Sequence, residues 1–403
     1  MDDVSAPGSA RADVATYATV ATAARSATEA IGPALLLAAI ASERAGGDGA
    51  ALVAAFTGLA AVAGPVVGAL LDRTARPGRV ITTAVAVMAA SVAALAVLVP
   101  RAPLVLLLVI AALGGLAYPA LTGGLTSQLP SIVSGSRLDR AYGIDAATYN
   151  VGAIVGPPAA AAALVLGGVG PIVFLLVLLL IALPLVPRIP FAVRTESGPR
   201  RPLARDLATG FHGLVSTPSL AYASVLTTVG FAGQAAFLVT VPLIVAAQTG
   251  SLAASGWVFG AAAVGGLITT LYVARRPLAH PDLGLTLTTL GIGVSFAVLA
   301  FSGTFAVTVA AAFAYGACEG PLLTALFRIR TREADPAVRS SVFTTAASLR
   351  TTAFSGTTAV LGALLGLGVT TLLLVGAATQ LLAFGTSAWT RTAVARRISA
   401  RPT

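Results

Sequence analysis

Five ionisable residues interrupt otherwise apolar stretches of this 403-residue chain: Arg25, Glu29, Asp145, Glu319 and Arg350. A charge near the centre of a bilayer costs about 2.5–3.5 kcal/mol on insertion scales, so such residues are seldom idle. Arginine does not deprotonate, whereas a carboxylate changes its hold on a proton when its Arg partner moves away or water is withdrawn. Arg25 and Glu29 lie four residues apart and share a helix face. At 1.5 Å per residue from the expected helix ends, Arg25, Asn150, Glu319 and Arg350 fall roughly 12–17 Å deep, with Glu29 one turn further. Two readings stand side by side. In one, Glu29 or Glu319 exchanges protons while Arg25 and Arg350 act as fixed countercharges; in the other, the layer is a structural ion-pair gate or a fixed substrate contact. Asp145 is nearer a helix end and reads as wet. Tyr118, Tyr149, Gln234 and Tyr315 are candidate cavity-lining groups, although a Tyr in a helix is more often interfacial or packed.

The elements that must position these residues follow from composition. Hydrophobic residues make up 57% of the chain and charged residues 10%, and the mean hydropathy is +0.91. So few charges do not cover a water-soluble surface, so the surrounding solvent is lipid. Crossing about 30 Å of hydrocarbon takes roughly 20 residues, and twelve stretches qualify: 14–40, 50–71, 79–99, 103–127, 139–166, 170–187, 219–247, 252–274, 283–303, 304–327, 340–366 and 369–390. The polar stretch 188–218 divides them six and six and is expected to end in a short amphipathic helix. The predicted organisation is an N-terminal tail (1–13), a six-helix bundle (14–187), a linker (188–218), a second six-helix bundle (219–390) and a C-terminal tail (391–403). The first 13 residues carry Asp2, Asp3 and Asp13 and lack a basic n-region with a cleavage site, so no cleaved signal peptide is expected.

The net charge of +10 comes from 25 Arg and no Lys. With the N-terminus in the cytoplasm, twenty-one Arg fall on that side, among them Arg73, Arg76, Arg328 and Arg330, against Arg44 and Arg101 outside. That bias is the positive-inside pattern, and it accounts for the basicity without nucleic acid. Both termini are then cytoplasmic. Cys318 is the single cysteine and His212 and His280 the only histidines, so neither a disulfide nor a metal cage is expected, and His212 is expected to face water. Without Lys there is no Gly-rich phosphate loop of the Lys-Ser/Thr type, hence no ATP-driven cycle and no cofactor. Trp257 and Trp389, near span ends, suit an interfacial aromatic belt.

Two motifs carry more. Between spans 2 and 3 run Gly68, Asp72, Arg73, Arg76 and Arg79; span 5 holds Asn150, Gly152, Gly156, Pro157 and Pro158. Glycines four apart give a smooth stripe for close helix contact, and proline bends the helix. The same spacing recurs as Gly64/Gly68, Gly256/Gly260 and Gly362/Gly366. A shift of 200 lays Ala146, Ala147, Thr148 and Gly156 on Ala346, Ala347, Ser348 and Gly356; a shift of 202 lays Gly114 and Pro119 on Gly316 and Pro321. Two related halves in parallel orientation are the layout of a rocking transporter.

The first motif resembles the Gly-x-x-x-Asp-Arg loop signature of the major facilitator superfamily, with Ala75 where the family has Gly. The second is similar to the Gly-x-x-x-Gly-Pro motif of that superfamily's antiporters, with Ala160 and Ala161 at its close. The resemblance covers nearly the whole chain and implies an all-α membrane protein of twelve transmembrane helices in two pseudo-symmetric bundles. It implies that helices 2, 5, 8 and 11 slide at the junction, and that Gly68, Asp72, Arg73, Arg76, Gly152, Gly156 and Pro157 gate it. Asp72 is expected against the start of span 11 near Arg339, Ser340 and Ser341. Span 4 lacks the Arg common in proton-coupled drug antiporters of the family, which leaves that part to Arg25 or Arg350. The expected function is secondary transport of a small organic molecule across a bacterial inner (plasma) membrane by a monomer, as proton-coupled efflux. Uptake by proton symport and a transport-dead membrane sensor are the alternatives. The Lys-free, Ala/Gly/Arg-rich composition suits a high-GC, actinobacterial-like genome.

Overall fold

The structure, a computed structural model, describes residues 7–133, 138–191, 203–276, 278–335 and 339–399. Long helices account for most of them: α1 Pro7–Ala41, α2 Gly46–Arg73, α3 Pro77–Leu98, α4 Leu104–Pro119, α5 Leu138–Ala162, α6 Gly170–Ala182, α7 Pro218–Thr249, α8 Ser255–Arg275, α9 Pro281–Ala300, α10 Phe305–Glu333, α11 Arg339–Ala363 and α12 Val369–Ser399. Prolines open α3, α7 and α9, where the missing N–H costs nothing. A separate linker helix, Leu203–Leu214, precedes α7, and His212 on it is exposed.

Among the described residues ten helices are long and apolar enough to cross a membrane. The two remaining spans of the expected twelve are α1 and α11, at 35 and 25 residues. Their apolarity is lowered by polar cargo: Arg25 and Glu29 in α1, and Arg350 with many Ser and Thr in α11. Neighbours shield both helices. α1 packs among α2, α5 and α6, while α11 packs against α2, α7 and the linker helix. Outward faces elsewhere are bare and apolar, as lipid contact requires, with Val62, Val97, Val105, Val294 and Leu381 exposed along with Trp257 and Trp389.

Packing repeats between the halves. α1 lies on α5 and α6 as α7 lies on α11 and α12; α2 lies on α4 as α8 lies on α10; α3 lies on α4 and α6 as α9 lies on α10 and α12. Close approach of backbones makes this arrangement possible. A side chain at Gly115 of α4 would strike the Phe56 carbonyl of α2, and one at Gly316 of α10 would strike the Ala262 carbonyl of α8.

The halves meet through α2 with α11 and α5 with α8, and these contacts gather at the end away from the linker. Gly47 faces the Gly362 carbonyl, the Ser355 hydroxyl donates to the Ala54 carbonyl at 2.6 Å, and Gly256 faces Pro158 and Ala161. Toward the linker the same helices part. A side chain added at Gly64 would come within 3.6 Å of the Ser348 hydroxyl, and at Gly68 nothing stands within 4 Å. Gly68 therefore has no close neighbour among the described residues in this arrangement. The side chains of Asp72, Arg73, Arg339, Ser340 and Ser341 lie outside the described residues; Arg76 is exposed at the start of α3.

One expected gating stripe belongs elsewhere. Gly152 and Gly156 do not face the junction but lie against Arg25, Ser26 and Ala30 of α1, inside the N-terminal bundle, while Pro158, next to Pro157, makes the contact with α8. A Cβ at Gly156 would sit 2.6 Å from the Ser26 carbonyl oxygen. The two stripes should thus fail differently. Gly156→Leu overpacks a bundle core, a cost of about 1–3 kcal/mol, and should lower folded yield and melting temperature. Gly362→Leu should leave both near wild type and loosen the far-end closure, read as increased labelling of a cysteine introduced at Ala50. Equal loss of stability in the two variants would count against this division.

Candidate functional site

Each half contributes one wall of a charged layer, and the first wall is organised by Arg25. Its residue is fully buried, so its charge needs a partner in place. Asp145 of α5 supplies it: Arg25 Nη2 lies 2.7 Å from Asp145 Oδ1, and Nη1 donates to the Asp145 carbonyl at 2.7 Å. Nη1 also donates to Thr148, and Nη2 to Thr126 Oγ1 at 2.8 Å. Asp145 accepts in turn from the Tyr17 hydroxyl and from Thr126 at 3.0 Å. The Tyr149 ring lies 3.6 Å beneath the guanidinium, a desolvated cation–π contact. Thr126 reaches this group because Pro119 breaks the α4 ladder; the helix widens over Ala120–Gly124 and resumes at Leu125–Ser127.

This corrects two expectations. Asp145 is not wet but 4% exposed, and Arg25 is committed to it rather than to Glu29 or Glu319. Glu29 shares a helix face with Arg25, but α5 approaches at Gly152, directly against Arg25, and draws the guanidinium to Asp145 instead. Glu29 makes neither an ion pair nor a hydrogen bond with a described residue. It lies near Tyr118 and close enough to Glu319 of the opposite half for the two charges to interact.

The second wall holds Glu319 with the Tyr315 hydroxyl beside it and Arg350 within electrostatic reach, short of an ion pair. The Tyr315 hydroxyl donates to Gln234 Oε1 at 3.2 Å, and its ring packs on Phe237 and Phe296. Arg350 lies 4.3 Å over the Phe231 ring, which meets Phe354 at 5.1 Å. The structure thus brings together Glu29, Glu319, Arg350, Tyr118, Tyr315 and Gln234 around the parting of the halves, and Tyr149 under Arg25. Asn150 is exposed and takes no part in the Arg25 network. Sequence reasoning missed Tyr17, Thr126 and Thr148 as partners of Arg25, and it placed Arg330 among the loop arginines, where the structure buries it to 2% exposure. Asp145 could have been found: Asp145, Thr148, Tyr149, Gly152 and Gly156 follow a helical spacing, so the glycine stripe that admits α1 also aims Asp145 at it.

No described group of His, Cys, Asp or Glu is arranged to hold a metal ion. What the layer offers is one locked ion pair, two carboxylates facing across the halves and a cation at an aromatic ring. Removing the countercharge should be costly: Asp145→Ala leaves Arg25 buried and uncompensated and should destabilise the protein by about 3–5 kcal/mol, seen as a large fall in melting temperature. Glu29→Gln should change it little. A small effect of Asp145→Ala would mean that Arg25 has another partner.

The comparisons agree with this architecture. No curated protein sequence matches the chain. Among solved structures it is similar to a POT family transporter in complex with 5-aminolevulinic acid, at 10% identity over 94% of this chain and 96% of that one, TM-score 0.75. The nucleoside transporter NupG gives 12% identity over 93% and 99%, TM-score 0.73, and the human organic anion transporter MFSD10 gives 15% over 95% and 100%, TM-score 0.64. At such identities the likeness shows the fold. The model of the Major Facilitator Superfamily matches residues 17–357, most of the chain. The chain belongs to the Major Facilitator Superfamily and is a multi-pass membrane transporter, not an enzyme.

Proposed function

We propose that the chain is a proton-coupled exporter of a small organic molecule, working by alternating access as a monomer in the plasma (inner) membrane of a high-GC bacterium, with both termini cytoplasmic. One observation carries the coupling: Glu29 lies within electrostatic reach of Glu319 across the halves and, among the described residues, has no ion pair or hydrogen bond, while Arg25, the cation that acts on it, is held by Asp145. A carboxylate between two moving bodies is alternately wet and dry, and water withdrawal favours the neutral form of any carboxyl group. Rocking about the far-end contacts then changes proton occupancy together with access to the passage. Arg350 is the fixed countercharge of Glu319, and Tyr118, Tyr315 and Gln234 line the passage.

Support for export is the span-5 pattern of Asn150, Gly152, Gly156 and Pro157, which resembles the antiporter motif of the family. The Arg distribution supports a cytoplasmic linker, so the parted end of the halves faces the cytoplasm, where an exported molecule enters. Solved relatives named as transporters of peptides, nucleosides and organic anions are in keeping with a small organic cargo. A thermal-shift screen on purified protein identifies a substrate, and proteoliposomes then decide the coupling. Substrate counterflow at equal pH should persist in Glu29→Gln, whereas transport driven by an imposed pH gradient should fall to background; Glu319→Gln and the double variant test the second carboxylate. Gradient-driven transport retained in all three would assign the layer to a structural gate, and absence of counterflow in the wild type would favour a sensor.

A further inference from the structure

Arg330 is a buried charge that the transport cycle above does not use. It sits near the linker end of α10, 2% exposed, and its Nε and Nη2 have no hydrogen-bond partner among the described residues. Its guanidinium lies 5.8 Å from the ring centre of Phe343 on α11. Seven residues further along α11, on the same face as Phe343, comes Arg350, whose Nε is also buried and unpartnered. The two cations are close enough to act on one another. Glu319 precedes Arg330 by eleven residues, three turns of α10 and so the same face. The facing strips of α10 and α11 therefore read, from the linker end inward, Arg330, Phe343, Arg350, Glu319.

Among the described residues no carboxylate forms an ion pair with Arg330, and Arg350 has Glu319 only within electrostatic reach. Glu319 is shared with Tyr315, and Asp282 and Glu333 are taken by Arg332 at 3.1 and 2.8 Å. An unpaired buried guanidinium is expensive to keep, and its fork of donors matches an oxyanion. We propose that the passage takes a substrate carrying an oxyanion, a carboxylate, sulfate or phosphate group, held by Arg350 and Arg330 with the Phe231 and Phe343 rings against its apolar part. The inference rests on the transporter reading for its role as a substrate site, but its test is one of binding and needs no transport.

Purified protein in detergent is titrated with benzoate, sulfate and inorganic phosphate, and with benzylammonium as the cationic counterpart, by calorimetry and thermal shift. At least one of the anions should bind saturably, with affinity lowered at least about tenfold in Arg330→Gln and in Arg350→Gln and lowered less in Arg330→Lys, which keeps the charge but not the fork. Unliganded Arg330→Gln should melt at or above the wild-type temperature, because an unpaired buried charge has gone; a marked fall would reveal a structural partner and overturn the proposal. Binding of benzylammonium in place of the anions, or anion affinity unchanged in Arg330→Gln, would overturn it as well. If only phosphatidylglycerol nanodiscs stabilise the protein through Arg330, the occupant is a lipid headgroup and the substrate site is wrong. Should Arg350→Gln fail to fold, the Arg330 variants decide alone. Anion binding absent while counterflow persists removes this inference and leaves the proposed function standing; the reverse result removes the proposed function.

Discussion

The Arg25–Asp145 pair is the contact on which the rest of the layer depends. A guanidinium buried within a lipid-embedded bundle must be neutralised where it sits, because the medium offers no screening. Asp145 does this from within the same half, at 2.7 Å, with Tyr17, Thr126 and Thr148 completing the network. In the proposed rocking cycle the pair therefore moves as part of one body. That frees Glu29, one turn away, from any fixed partner and leaves it to meet Glu319 across the division.

Close backbone approach builds the frame for this chemistry. The α5 glycines that admit α1 bring Asp145 onto Arg25, and equivalent close contacts at Gly115 and Gly316 knit α4 to α2 and α10 to α8. The junction has its closest contacts at Gly47, Ser355, Gly256 and Pro158, toward one end. Close packing within each half and a junction whose tightest contacts lie toward one end suit rigid bodies that pivot. The linker helix lies on α11 and touches α2 at the parted end, where it spans the division.

Much of this was legible in the residues. Apolar runs separated by Pro and Arg marked the helices, and the repeat at shifts of 200 and 202 anticipated the paired packing. α1 and α11 were less apolar than the others because their polar residues turn inward, which periodicity alone does not disclose. Partner choice was less legible. Arg25 and Glu29 are four residues apart, and in an isolated helix they would pair; the approach of α5 at Gly152 and Gly156 decided otherwise. Arg330 read as a loop arginine because three other Arg crowd the same stretch, and only its reach to Phe343 shows that it turns inward. The side chains of Asp72 and Arg73, the sharpest sequence signal, lie outside the described residues.

The central claim is that Asp145 neutralises Arg25 and Glu29 is the carboxyl group that exchanges a proton. Infrared difference spectroscopy of the protein in lipid, stepped in pH and repeated with Glu29→Gln, tests it most directly. The account predicts a carboxylic-acid carbonyl band that responds to pH in the wild type and is missing from the variant. A pH-responsive band that survives in Glu29→Gln would contradict it.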